Sequence, residues 1–163
     1  MSINSEEFKS VMRTWTSGVA VVTCSWEGMH HGMTVNSFTS VSIEPALVVV
    51  TMANNTRTCQ MVKQSRKFGL SILSEAQREI SDRFAGKVDD VEDRFSGIKT
   101  FRLKSSIRYL VDGLGWLECS VKEGIDLGFS TLFIAEVIHT GIGVGEPLLY
   151  HNRDYYRLGE KID

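Results

Sequence analysis

The chain has 163 residues, 42% of them hydrophobic, 9% aromatic and 23% charged, a balance that excludes disorder as the main state and lets a core form without disulfides or metal. Eighteen Lys and Arg against twenty Asp and Glu leave a formal charge of −2, so no global positive field gathers nucleic acid or an anionic membrane. Two prolines and no Pro/Ser/Gly-rich stretch argue against linkers, and residues 1–163 read as a single domain.

The elements follow in chain order. Met1–Phe8 lacks a basic region followed by an apolar stretch, so no signal peptide is read. Phe8, Val11, Met12 and Trp15 recur at helical spacing and predict an N-terminal helix, with Asn4 and Glu7 as a capping box and Gly18 as the stop. Gly18–Trp26 and His30–Thr34 predict a hairpin turning at Glu27-Gly28. Ala46–Met52, after Pro45, reads as a buried strand; its apolar run Ala46–Val50 is too short to span a bilayer. Thr56–Lys67 predicts a helix with Asn54, Asn55 or Thr56 as cap, and Lys67–Leu73 a strand. Ser74 and Gln77 make a capping-box pattern opening a short helix with Ala76, Ile80 and Phe84 on one face. Residues 86–98, with Asp89, Asp90, Glu92 and Asp93, read as a solvated loop. Ile107–Val111, Gly115–Lys122, Thr131–Thr140 and Leu148–Leu158 read as strands. Strands outnumber helices and several connections are too short for parallel crossovers. The expected architecture is mainly β, an antiparallel barrel with peripheral helices.

Several chemistries fall away. Cys24, Cys59 and Cys119 are odd in number, lie outside metal-ligand spacing and sit among apolar residues, so they read as core residues of a reducing, cytoplasmic compartment. Gly141-Ile-Gly-Val-Gly145 follows a strand, but Glu146-Pro147 intervenes and no helix opens to hold a pyrophosphate. His30 and His31, adjacent in a strand, point to opposite faces and cannot chelate one ion together; no metal site is read. No nucleophile elbow or P-loop is present. An enzyme built from this sequence leaves the difficult chemistry to a cofactor.

The most informative stretch is His31-Gly-Met-Thr-Val-Asn-Ser-Phe-Thr-Ser-Val-Ser-Ile-Glu-Pro45, dense in hydroxyls and small residues between two apolar strands. It reads either as a plain polar connection or, being long for one, as a functional loop whose main chain faces a flat heteroaromatic ligand. Asn55-Thr-Arg-Thr58 places two hydroxyls and a guanidinium at a predicted helix N-terminus, which suits either a phosphate or a simple cap.

Taken with Gly18-Val-Ala-Val-Val-Thr23, Phe68–Leu73, Arg83-Phe-Ala-Gly86 and Pro147-Leu-Leu-Tyr150, these segments resemble the short-chain flavin reductases. Those are the reductase components of two-component flavin monooxygenases, in the FMN-binding split-barrel group. The Thr-x-Asn-Ser-Phe-x-Ser segment is the specific part, and the resemblance runs along essentially the whole chain. It implies a dimeric antiparallel split β-barrel with flavin near the subunit interface, and a monooxygenase that receives reduced flavin. Thr34, Val35, Asn36, Ser37 and Phe38 would line the isoalloxazine largely through backbone groups, with Ser40 nearby. Thr56, Arg57 and Thr58 would hold the FMN phosphate, and Phe84 and Lys87 would approach from the next helix and loop. FMN is the expected flavin, with FAD as the other option, and NAD(P)H the hydride donor. Phe129, Ser130 and Tyr155 fall to the nicotinamide side. Trp15, Trp26, Leu114, Trp116 and Tyr155 exceed what one small barrel obviously needs, which also points to a homodimer. One departure is clear: the family pattern Gly-Asp-His before the strand at Thr131 is here Gly128-Phe129-Ser130. Two other readings stand beside the reductase: a flavoprotein that keeps FMN and takes electrons from a protein partner, and a non-enzymatic flavin-binding module.

Overall fold

The computed structural model describes residues 3–88 and 93–162. Asp89, Asp90 and Glu92 of the predicted polar loop lie outside the described residues.

Helix α1 spans Ser5–Arg13, and Asn4 caps it by accepting the Glu6 N–H at 2.9 Å rather than through a box with Glu7. It stops at Arg13, well before Gly18, which instead forms strand β1 with Ser17. Strands β2 (Ala20–Trp26) and β3 (Met29–Val35) make the predicted hairpin. Glu27 and Gly28 at its turn have φ of 49° and 77°, the pair of left-handed residues that matches the twist of the flanking strands.

The stretch 31–45 is not one long loop. Its ends belong to β3 and to β4 (Thr39–Ser42), and β5 follows at Leu47–Ala53. The hydroxyl residues that suggested a loop are Thr and Ser on an edge strand, where a polar outer face suits the pleat. Helix α2 (Arg57–Ser65) is capped by Thr56, whose Oγ1 accepts the Cys59 N–H, and closes on Arg66 at φ 56°. β6 (Lys67–Ile72) leads into a 3-10 turn, Glu75–Gln77, with the predicted Ser74–Gln77 box, and then α3 (Arg78–Phe84).

β7 (Thr100–Phe101) had no sequence signal, and β8 (Tyr109–Leu110) is shorter than predicted. β9 (Gly115–Asp126) and β10 (Ser130–Ile142) are longer than predicted, each sustaining the other's ladder past its apolar residues. The single strand predicted over 148–158 is a hairpin of β11 (Leu149–His151) and β12 (Asp154–Tyr156), reversed by Asn152 and Arg153 at φ 47° and 69°.

The main sheet has seven strands in the order β3-β2-β6-β9-β10-β5-β4, every pairing antiparallel. Its edges, β3 and β4, are consecutive in sequence and joined only by Asn36–Phe38. Laid flat, seven strands would hold those edges about 29 Å apart. Three connecting residues reach roughly 13 Å at full extension. The sheet therefore curls into an antiparallel barrel, and the unpaired β3–β4 seam splits it. Inside lie Val22, Val50, Phe68, Leu70, Phe133 and Ala135, together with Cys59, Met61 and Val62 from α2. Each large side chain buried this way stabilises the fold by about 1.5–3 kcal/mol. A second cluster, Val19, Val21, Leu73, Phe84, Phe95, Leu110 and Leu148, packs α3 onto the barrel's outside. The three cysteines are buried free thiols, and burial pushes Cys24 and Cys119 up to about 12.

Candidate functional site

Three cavities meet where β3 crosses to β4. The first, about 450 Å³, is bounded by Met33 and Thr34 of β3, Thr56, Arg57 and Thr58 at the start of α2, and Phe84 and Ala85 at the end of α3. The second, about 170 Å³, shares Thr34 and Ala85 with it and adds Val35, Asn36, Lys87, Tyr150 and Tyr155. The third, about 330 Å³, shares Val35 and Asn36 with the second and extends to Phe38 and Ser40. The shared walls make one trough running from the α2 N-terminus around the seam. It brings together most of the residues singled out in the sequence.

The hydroxyls build this trough more than they line it. Thr34 Oγ1 donates to the Ser81 carbonyl at 2.7 Å, fastening β3 to α3. Thr56 Oγ1 donates to the Ala53 carbonyl at 2.7 Å while capping α2. Thr58 is fully buried and its Oγ1 lies 2.8 Å from His31 Nδ1. Ser37 is turned onto β5, where it meets the Thr51 main chain. What remains open is backbone: the N–H groups of Asn36, Ser37 and Phe38 lie outside the strand ladders and have no hydrogen-bond partner among the described residues. Arg57 and Thr58, in the first turn of α2, likewise present N–H groups that no helix carbonyl can reach. These two sets of donors sit at opposite ends of the trough.

Phe84 forms its floor, fully buried and edge-on to Phe95 at 5.1 Å between ring centroids. Gly32 makes this fit possible, because a Cβ there would lie 2.9 Å from both the Phe84 ring and the Val22 carbonyl oxygen. Arg94 locks the junction, donating from Nη1 to the Gly32 and Phe84 carbonyls at 2.8 and 2.9 Å.

Two guanidiniums, Arg57 and Arg94, line the first cavity beside His31, and no carboxylate does among the described residues. Burial, Arg94 and Arg57 together lower His31 from 6.5 to about 4, so its ring is neutral at pH 7. Arg57 lies against Met29, with Nη2 3.3 Å from Sδ. The second cavity has its own cluster. Tyr155 Oη is 2.9 Å from both Ser81 Oγ and Asp82 Oδ1, and Lys87 Nζ donates to Asp82 at 2.8 Å while lying 5.1 Å from the Tyr155 ring centroid. Burial works to raise the Asp82 carboxyl, but hydrogen bonds from Lys87 and Tyr155 outweigh it and hold it below the usual range.

Phe129 and Ser130 lie outside the trough, at the turn between β9 and β10. Asn54 holds this turn: its N–H donates to the Phe129 carbonyl at 2.9 Å and its Nδ2 to the Gly128 carbonyl at 2.8 Å. Thr131 donates to Asn54 Oδ1 at 2.6 Å. The Phe129 side chain is 96% exposed. Asn54 was among three cap candidates in the sequence; Thr56 is the cap, and Asn54 instead joins the β9–β10 turn to the approach of α2. Arg94 and Tyr150 were also missed as site residues. Neither belongs to a periodic pattern or a motif whose spacing reveals what it meets. Trp26 and Trp116 are partly buried and have partners within the chain, Trp26 against the core and Trp116 donating to the Leu110 carbonyl at 2.7 Å. Phe8, Val11 and Met12 on α1, with Trp15 just past its end, leave apolar surface exposed throughout.

The arrangement suits an elongated ligand with a phosphate at one end and a flat, hydrogen-bonding ring system at the other. Residues 12–159 match the family described as "Flavin reductase like domain". The chain is 32% identical over 161 residues to the NADH-dependent flavin reductase StyB of Pseudomonas fluorescens, covering 96% of this chain and 91% of that one. It is 29% identical to the reductase component of a 4-nitrophenol 4-monooxygenase/4-nitrocatechol 2-monooxygenase of Rhodococcus opacus, covering 91% and 78%. Among solved structures, flavin reductase PheA2 in its native state superposes with a TM-score of 0.89 at 32% identity, over 97% of this chain and all of that one. The styrene monooxygenase flavin reductase of Pseudomonas putida S12 gives 0.84 at 30% identity, over 95% and 99%.

Proposed function

Since this chain belongs to the flavin reductase like domain family, we propose that it is an NADH:flavin oxidoreductase that supplies reduced flavin to a monooxygenase component. The observation that carries the site assignment is the pairing of free main-chain N–H groups at Asn36–Phe38 with Arg57 and the α2 N-terminus along one trough. Arg57 and the first-turn N–H groups of α2 bind the flavin phosphate, the guanidinium supplying charge-assisted bonds. Thr56 holds that helix start in place, and Thr58 orients His31 beside it. The Asn36–Phe38 N–H groups and Val35 receive the polar edge and face of the ring system, with Thr34 and Phe84 fixing the wall and floor. Lys87 and Tyr155 face the same space from the second cavity, and Ser40 closes the far end. FMN is the smallest flavin that meets these contacts, since riboflavin lacks the phosphate. Bound flavin supplies the hydride-accepting chemistry, and the protein's part is positioning and exclusion of water.

The relatives named as NADH-dependent reductases and as reductase components favour NADH and a monooxygenase recipient. All 163 residues act as one cytoplasmic domain in this reading. No described helix is long and apolar enough to cross a membrane. The exposed α1 stripe supports a homodimer, because a helix that buries none of its own apolar face leaves that face for a second copy. Phe129-Ser130 at the β9–β10 turn favours one other reading, a flavoprotein that takes electrons from a protein partner instead of a nicotinamide.

An anaerobic titration separates the readings. The reductase loses its oxidised-flavin absorbance on addition of NADH. A chain that binds FMN yet stays oxidised under NADH is the electron-transfer flavoprotein. Light scattering with FMN present is expected to give twice the 18.3 kDa chain mass; a monomer mass excludes the dimer.

A further inference from the structure

Met29 opens β3 directly after the Glu27-Gly28 turn and pairs with Trp26 across the hairpin. Its Sδ lies 3.3 Å from Arg57 Nη2. The residue is 43% exposed, and with Arg57 it borders a cavity of about 300 Å³ that adjoins the first. Of the other described methionines, Met52 and Met61 are buried in the core and Met33 is half-buried, which leaves Met12 on α1 as the other open thioether.

Arg57 holds the flavin phosphate in the reading above. A thioether sulfur is a weak acceptor and competes little with a phosphate for the guanidinium. Oxidation turns the same atom into a polar sulfoxide. An oxygen on Sδ falls within hydrogen-bond reach of Nη2, and the hairpin fixes it there. The guanidinium then has an acceptor in its own chain, and its donors form a rigid fork that cannot be shared freely between two directions.

The oxidant is a by-product of the proposed activity. Reduced flavin that reaches no recipient passes two electrons and two protons to dioxygen, giving oxidised flavin and hydrogen peroxide. The Sδ lone pair attacks one peroxide oxygen, so that an S–O bond forms as the O–O bond breaks. The departing hydroxide takes the proton left on the transferred oxygen and leaves as water. Sulfur has lost two electrons and the peroxide has gained them.

We propose that Met29 is an oxidation site for hydrogen peroxide, and that its sulfoxide draws Arg57 away from the flavin phosphate. Reduction of flavin then slows when no recipient consumes the product. The proposal rests on the flavin reading above and adds a control to the same site.

The test treats the full chain with dilute hydrogen peroxide, maps added oxygen by peptide mass, and titrates FMN and riboflavin by flavin fluorescence. Wild type, Met29→Leu and Met29→Gln are compared. In the wild type Met29 gains one oxygen, FMN binding weakens about fivefold and riboflavin binding stays as it was. A methionine sulfoxide reductase restores the FMN affinity. Met29→Leu binds FMN like the untreated wild type and is unmoved by peroxide. Met29→Gln, with a permanent acceptor near Arg57, is weakened before any treatment. Aerobic turnover with NADH and FMN oxidises Met29, and added catalase prevents it. Oxidation that spares Met29 overturns the proposal, as does an oxidised Met29 with unchanged FMN affinity. An equal loss in Met29→Leu, or an equal loss for riboflavin, also overturns it, the first placing the effect at another residue and the second in the cavity's shape. An untreated wild type that binds neither flavin overturns the flavin reading at the first titration, and this proposal with it.

Discussion

Ser37 and Thr51 exchange two hydrogen bonds: Ser37 Oγ donates to the Thr51 carbonyl at 2.8 Å and accepts the Thr51 N–H at 3.3 Å. Strand β4 leaves off pairing with β5 at Thr39–Val49, so this side chain carries the β5 edge two residues further and pins the crossing from β3. Without it, the three free N–H groups of the seam have no fixed direction. Ser37→Ala is expected to lower stability by about 1 kcal/mol and to weaken flavin binding at the same time. Thermal unfolding and flavin titration check both. Lost stability with unchanged affinity would place the crossing outside the binding site.

The neutral His31 ring makes stability fall in acid. Unfolded, its imidazole titrates near 6.5; folded, burial and the neighbouring Arg94 and Arg57 lower it to about 4. The unfolded chain therefore takes up the proton first. The contribution is full above pH 6.5 and is lost as the pH drops from there toward 4. One such group gives a slope of at most about 1.4 kcal/mol per pH unit, reduced by the ring's partial exposure. Urea midpoints measured across this window should fall less steeply in His31→Gln than in the wild type. Parallel slopes would mean that His31 protonates without cost in the folded chain.

Arg57 is expected to matter only to flavins that carry a phosphate. Losing a charge-assisted hydrogen bond costs about 1.5–3 kcal/mol, a tenfold or greater rise in dissociation constant. Arg57→Ala should therefore weaken FMN binding by roughly that factor and leave riboflavin binding nearly as it was. Equal losses for the two would show that the guanidinium shapes the cavity instead of meeting the phosphate.

Phe129 and Ser130 can be exchanged at little cost to the fold, since the Phe129 side chain projects into solvent and the turn is held through its main chain by Asn54. Stability should change by no more than about 0.5 kcal/mol. Phe129→Asp/Ser130→His puts a polar pair beside the end of β5, and a nicotinamide bound at this turn would gain from it one orienting contact of about 1–2 kcal/mol. The double variant is expected to show a lower KM for NADH or a higher turnover in steady-state assays. No change in either would remove this turn from the nicotinamide site.

The amino-acid sequence by itself determined much of this protein. The Glu27-Gly28 turn, the Thr56 cap and the Ser74–Gln77 box are local chemistry: side chains a few residues apart satisfy one another's backbone groups wherever they are placed. Period and β-branching likewise revealed β2, β5 and β6, and the motifs from Gly18 to Tyr150 carried the family. The tertiary structure decided the rest. Thr39–Ser42 is polar enough to pass for loop, and becomes a strand only because the edge of β5 is there to pair with it. Asn152-Arg153 lacks the glycine of a favoured turn, and reverses the chain because β11 pairs with both β1 and β12. The seam itself is invisible in sequence. That β3 and β4, neighbours along the chain, lie at opposite edges of a seven-stranded sheet follows from pairings made tens of residues away. The same closure places Arg57, Arg94 and Lys87 around residues they do not neighbour in sequence, since spacing along a chain describes a helix face or a strand face but not which faces meet.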